Sequence, residues 1–193
     1  MFVCTGNICR SPMAEALLRV RAVERGIDVA VSSAGELFED RPAEPAAVDA
    51  MARLDIDISG HRSRIWDAEL VQQADLVVAM EQRHVHDVVV AIGAIGTTFT
   101  LPDLVARATA AGPRGDATVA EYLVMLARSW PPGTRVGGRD LDVTDPIGGP
   151  RRAFRRCADQ LGDLLDELVP LAWPAGGDDT DAPPSIRLDT GSP

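Results

Sequence analysis

A single α/β domain, a four-stranded and mainly parallel sheet flanked by helices, is the fold class that this sequence predicts. Three observations predict it. Short β-rich runs alternate with helical patterns up to about Pro170, the rhythm of strand-helix-strand units. A chain of 193 residues with 46% hydrophobic content can bury one ordinary core and has little left for a second. From about residue 150 to 169, Phe154, Cys157, Leu161, Leu164 and Leu168 recur at spacings of three and four, so one long helix carries an apolar stripe that can dock on a sheet.

The strand candidates are residues 1–3, 29–32, 76–79 and 98–101, each rich in branched or aromatic side chains. Helical patterns fill 11–25, 45–54, 67–74 and 81–91, and Gly26 directly after the first is a C-terminal stop. Residues 103–141 read as an extra helical insertion. In it Val119, Tyr122, Leu123 and Leu126 suit an amphipathic helix, and WPPGTRVGG after them suits a mobile connection. The domain therefore covers 1–170. Residues 171–193, rich in Gly, Pro, Asp and Ser, have almost nothing to bury and read as a disordered tail.

Composition excludes several classes of function. With 29 acidic and 19 basic side chains the net charge is -10, which repels nucleic acid and anionic membrane surface alike. No run reaches the roughly 18 to 20 apolar residues of a membrane span, and the first residues lack the build of a signal peptide, so a cytoplasmic protein is expected. Three cysteines without a secretory signal make no disulfide framework, and no paired Cys and His spacings suggest zinc. Neither metal nor cofactor is expected.

The chemistry concentrates at the start of the chain. MFV-CTGNICR-SPMAEALL is an apolar strand, a Gly-containing loop, and then Ser11 and Pro12 placed as N-cap and first residue of a helix. Such a unit aims backbone N–H groups and a helix N-terminus at one point, which binds anions. The loop residues Thr5, Gly6, Asn7, Ile8, Cys9, Arg10 and Ser11 form the cradle. Arg10 adds a planar fork suited to two phosphoryl oxygens, and Asn7 tolerates the left-handed backbone that curls amides inward. Cys4 sits under the anion, where the positive field favours the thiolate, a nucleophile facing phosphorus.

CTGNICRSP resembles the signature of the low-molecular-weight protein tyrosine phosphatase family, a cysteine and an arginine separated by five residues and followed by Ser. SSAG at 32–35, DISGHRSR at 57–64, ADLVVAM at 74–80 and VTDPIGG at 143–149 resemble the family in the same order. The likeness covers roughly residues 1–100 and 140–170. It implies a protein tyrosine phosphatase acting on phosphotyrosine-containing protein, with Cys4 as nucleophile and Arg10 as the phosphoryl clamp. Asp145 stands in the Asp-Pro dipeptide that the family uses for its general acid, which sets it apart from Asp140 and Asp142. By the same resemblance Asn7 bonds with Ser33 and His61 to brace the loop. Ser11 can donate to the Cys4 thiolate as well as cap the helix. His84 and His86, on a helix, are expected at the surface.

The sequence departs from the family at two places. Only three residues precede Cys4, so the first strand is short, and Ile147 and Gly148 stand where tyrosine phosphatases carry aromatic residues after the Asp-Pro. Phe38, Tyr122 and Trp130 are the candidates for an aromatic cleft wall. Three other functions compete. A thioredoxin-coupled arsenate reductase needs two further cysteines mid-chain, and none lies between Cys9 and Cys157, the latter on the apolar stripe. Phosphoarginine phosphatases resemble the loop but carry Thr at the place of Ile8. A non-catalytic phosphate-binding module is the third. Cys9, close to Cys4, could join it in a reversible disulfide on oxidation.

Overall fold

The computed structural model describes residues 1–93, 96–128 and 141–174. Phe2–Val3 (β1), Ser33–Ala34 (β2), Val77–Ala79 (β3) and Thr98–Thr100 (β4) form one sheet in the order β2-β1-β3-β4, with every pairing parallel. β1 is central: Phe2 lies opposite Ser33 on one side and Val78 on the other. The expected strand at 29–32 is displaced, because β1 offers only two residues to pair with and Ser33 and Ala34 take them. Val29 and Val31 have strand propensity but no ladder to enter.

Side chains alternate across so short a sheet, and that alternation creates two apolar layers. Phe2, Val78 and Phe99 belong to the large cluster with Met13, Leu17, Leu104 and Leu161, whereas Val3 and Val77 pack with Val71 and Val88 on the opposite face. The helices Arg10–Arg25 (α1), Pro45–Ala52 (α2), Leu101–Ala111 (α5), Val119–Arg128 (α6) and Arg151–Ala172 (α7) supply the larger layer. Ala68–Gln72 (α3) and Gln82–Ile92 (α4) cover the other. α7 packs against α1, α2 and α5 at once.

Several boundaries move for identifiable reasons. α1 begins at Arg10 with Cys9 as N-cap and no side-chain cap, so Ser11 is not the cap and its hydroxyl is turned elsewhere. Gly26, with φ 65°, stops the helix as expected. The fourth strand ends at Thr100 because its hydroxyl accepts from the Asp103 N–H (3.3 Å) and caps α5, with Pro102 in the first turn. Within the segment set apart as an insertion, α5 contributes Leu101, Leu104, Val105 and Ala108 to the core, and Arg107 closes a buried pair with Asp103. Tyr122 of α6 is buried, its hydroxyl donating to the Gly112 carbonyl (2.6 Å), and so forms no cleft wall.

On α7, Leu165 is buried in place of the expected Leu164, which is half-buried. The helix also passes Pro170, where the tail was expected to start. Pro170 lies on the exposed side of a turn whose Leu168, Val169 and Ala172 are buried. Arg114 meets its last carbonyls, through its backbone N–H to Leu171 (2.8 Å) and its Nε to Ala172 (2.8 Å). Trp130, Asp140, the WPPGTRVGG stretch and residues 175–193 of the tail lie outside the described residues. Among the described residues no helix is long and apolar enough to cross a membrane.

Leu161 is fully buried in the large apolar cluster, on the helix that packs against α1, α2 and α5. Leu161→Ala is expected to lower the unfolding free energy by about 2–5 kcal/mol. Urea denaturation measures it, and a loss under ~1 kcal/mol would contradict the central packing of α7.

Candidate active site

The segment from Cys4 to Arg10 leaves the end of β1 and enters α1, and its neighbours hold it by its carbonyls. Thr5 O accepts from the Glu36 and Leu37 N–H groups (2.8 and 3.1 Å), Asn7 O from His61 Nε2 (2.7 Å), and Ile8 O from the Glu44 N–H (2.7 Å). With these oxygens engaged outward, the amides are left for the inside of the curl. The Asn7 N–H points to Cys4 Sγ (3.3 Å), and the N–H groups of Thr5, Gly6, Ile8, Cys9 and Arg10 donate to no acceptor among the described residues. Converging free amides at a helix N-terminus make an anion nest.

Asn7 permits the curl. It is fully buried with φ 50°, and its amide Nδ2 donates to Ser11 Oγ (3.0 Å) and Ser33 Oγ (2.8 Å) while Oδ1 accepts from the Arg64 N–H (3.0 Å). The bracing expected of Ser33 and His61 is present, and Arg64, missed from sequence, joins it. Gly35 lets β2 approach the loop: a Cβ there would stand 2.7 Å from Asn7 N and 2.9 Å from Gly6 C. Ser11, freed from capping, places its hydroxyl 3.0 Å from Cys4 Sγ.

Arg10 is 1% exposed, yet both ends of its fork reach partners. Nη1 donates to Glu81 Oε1 (2.5 Å) and to the Val143 carbonyl (3.0 Å). Nη2 reaches Asp145 Oδ2 (2.7 Å) and, more weakly, Thr5 Oγ1 (3.4 Å). Val143 itself is tied to the residue after β3 by its N–H to Met80 O (2.7 Å), which delivers the 141–149 segment to the loop. Asp145 keeps a side chain 41% exposed and accepts from the Ile147 N–H (3.1 Å). Asp142 is engaged differently, accepting from the Gln82 N–H (2.8 Å) at the start of α4. The structure thus brings Cys4, Arg10, Asp145, Ser11, Asn7, Ser33 and His61 together.

The first turn of α4 is the part that sequence reading did not find. Glu81, Arg83 and His84 line the loop there, facing Glu36. Burial opposes ionisation of Glu81, but the hydrogen bond and charge of Arg10, with His84 and Arg83 behind, hold its carboxyl below the usual range. Burial pushes the Glu36 carboxyl up against the pull of Arg83, and Glu36 Oε1 is buried with no partner among the described residues. His84, expected at the surface, is fully buried; His86 is exposed as expected. The sequence did hold one signal for the turn, a glutamate followed three residues later by a histidine at a helix start.

Phe38, a candidate cleft wall, stands beside the loop with Ile8. A Cβ on Gly6 would meet the Phe38 ring at 3.1 Å and Ile8 Cγ1 at 3.3 Å, so these two side chains converge over the loop, and Arg41 stacks on the outer face of Phe38 (4.4 Å). Ile147 is exposed beside Asp145. Cys9 and Cys157 are both free and buried. Burial pushes the Cys9 thiol far up and the Cys157 thiol up to about 12, so neither is a nucleophile near neutrality.

Residues 1–96 match the family described as low molecular weight phosphotyrosine protein phosphatase. Over 171 residues the chain is 34% identical to a protein-arginine-phosphatase of Bacillus subtilis (strain 168), spanning 88% of this chain and 93% of that one. It is equally 34% identical, over 164 residues, to a low molecular weight protein-tyrosine-phosphatase of Streptomyces coelicolor, spanning 83% and 84%. A crystal structure of a low molecular weight protein tyrosine phosphatase from T. tengcongensis superposes with a TM-score of 0.67 at 32% identity, covering 87% of this chain and 95% of that one.

Two outcomes test the site as built. Gly35→Ala should cost about 1–3 kcal/mol of unfolding free energy, since its Cβ meets backbone that cannot step aside, and wild-type stability would contradict the close approach. Because a thiolate on Cys157 requires pH near its raised pKa, native protein at about pH 8 should leave Cys9 and Cys157 unlabelled by a thiol reagent that modifies all three cysteines once the chain is denatured. Rapid native labelling of either would overturn their burial.

Proposed function

Since the chain belongs to the low molecular weight phosphotyrosine protein phosphatase family and is a cysteine-based phosphatase, we propose that it hydrolyses phosphotyrosine on protein through a phosphocysteine on Cys4. The observation that carries the reading is the convergence on one loop of Cys4, five free amides, the Arg10 fork and the Asp145 carboxylate.

In the first step the Cys4 thiolate attacks phosphorus in line as the bond to the tyrosyl oxygen breaks. Asp145, protonated, gives its proton to the departing phenolate. The loop amides and Arg10 hold the equatorial oxygens, whose charge grows toward the transition state. The phosphoryl group takes over the Nη2 prong that Asp145 occupies in its absence, which frees the carboxyl for the leaving oxygen. Glu81 and the Val143 carbonyl keep the opposite prong fixed throughout. In the second step Asp145, now a carboxylate, takes a proton from water. The water oxygen attacks phosphorus, the S–P bond breaks, phosphate leaves and the thiolate returns, stabilised by the Ser11 hydroxyl 3.0 Å away.

The choice of phosphotyrosine rests on Ile8. Its hydrocarbon stands where phosphoarginine phosphatases carry a threonine hydroxyl, and with Phe38 it makes an apolar wall beside Gly6 that can pack on a phenyl ring. Equal identity to the arginine and tyrosine relatives leaves the decision to such side chains.

Hydrolysis of an aryl phosphate, run without metal beside phosphoarginine, tests both levels. Cys4→Ser should lose at least about a thousandfold in kcat, and Asp145→Asn about 10²–10⁴-fold. Wild-type turnover by Cys4→Ser would end the nucleophile assignment. Preference for phosphoarginine would end the argument from Ile8.

A further inference from the structure

The buried His84 does more than cap a helix. The Glu81 N–H donates to His84 Nδ1 (3.1 Å), so Nδ1 is the bare nitrogen and the proton resides on Nε2. Nε2 lies 3.1 Å from Thr5 Oγ1 and 3.9 Å from Glu36 Oε2, which makes the threonine hydroxyl the acceptor within hydrogen-bond reach. Burial pushes the imidazole down to about 4, with Arg83 adding to the effect, so this one tautomer persists at neutral pH.

Thr5 is the residue directly after Cys4. Its hydroxyl oxygen is surrounded by donors: His84 Nε2, Arg83 Nη2 and, at 3.4 Å, the same Arg10 Nη2 that meets Asp145. The imidazole takes one lone pair, Arg83 and, more weakly, Arg10 share the other, and the hydroxyl hydrogen turns away from them. A hydroxyl in this position spaces the Arg10 prong from the start of the loop.

We propose that His84 is a positioning residue for the phosphatase reaction, acting through Thr5: its Nε2–H fixes the Thr5 hydroxyl against Arg10, so that loop and guanidinium fork are held in one geometry. This rests on the reading of Cys4 and Arg10 given above. A capping role alone requires only the acceptor at Nδ1, which shorter side chains also supply. The imidazole spans from the α4 cap to the loop because it presents an acceptor and a donor on opposite sides of one rigid ring.

Five variants of the full chain, four single and one double, separate the two roles, with kcat and KM on an aryl phosphate and the thermal midpoint measured for each. Thr5→Val keeps the shape and removes the hydroxyl. It should lower kcat about tenfold with KM within about threefold, and Thr5→Ser should recover most of the loss. His84→Asn retains an acceptor for the Glu81 N–H but falls short of Thr5. It should lose kcat like Thr5→Val while holding its thermal midpoint, and the two changes combined should be no worse than either alone. His84→Gln, long enough to present an N–H toward Thr5 but with no acceptor at the place of Nδ1, should regain kcat relative to His84→Asn and melt lower.

Wild-type kcat in Thr5→Val, or multiplying losses in the double variant, would overturn the proposal even if His84→Asn proved unstable. Turnover that survives Cys4→Ser would instead remove the underlying assignment of Cys4 as nucleophile, a result the Thr5 and His84 series cannot imitate.

Discussion

Five hydrogen bonds converge on Asn7, and the rest of the site depends on them. Its N–H meets Cys4 Sγ, its carbonyl meets His61, and its side chain meets Ser11, Ser33 and Arg64. A buried non-glycine residue at φ 50° carries a backbone cost of order 1–3 kcal/mol and persists only when its surroundings over-determine it. These bonds supply that determination. In return the left-handed residue turns the chain so that the carbonyls of Thr5, Asn7 and Ile8 face outward and the amides face the space above Cys4. Sheet, loop and first helix are thereby locked together at a single side chain.

The brevity of β1 makes this locking matter more. Two residues between two parallel neighbours give few ladder bonds, so the position of Cys4 is secured less by the sheet than by what surrounds the loop. Gly35 allows β2 to close on Asn7, the 61–64 stretch braces it from outside, and the first turn of α4 braces it from the far side through Thr5 and Arg10. α7 completes the support from beneath, since it packs on α1, the helix that the loop enters.

Charge is arranged by the same logic. Arg10 is buried, and a buried guanidinium needs partners on every prong. Glu81 and the Val143 carbonyl are fixed partners, whereas Asp145 is half-exposed and sits on a loop. In the proposed mechanism this asymmetry separates a prong that stays occupied from one that an incoming phosphoryl group claims. Arg83 extends the alternation of charge outward to Glu36, so a protein of net charge -10 presents a locally compensated anion site.

Sequence by itself determined the fold class and the strand-loop-helix unit at the start of the chain, because they are encoded in contiguous residues: MFVCTGNICR carries strand, curl and helix start within ten positions. The periodicity of α7 and the stop at Gly26 were legible for the same local reason. Tertiary structure alone decided what depends on residues meeting from far apart. It placed β2 at Ser33–Ala34, because only the two-residue β1 could define the register, and it carried α7 past Pro170 through burial and Arg114. It also buried His84, an ordinary helix histidine by pattern, since Thr5 lies 79 positions away and no local periodicity records that contact. Motifs report what neighbouring residues do to one another. Positioning is set by long-range packing, which sequence patterns of period two or 3.6 do not contain.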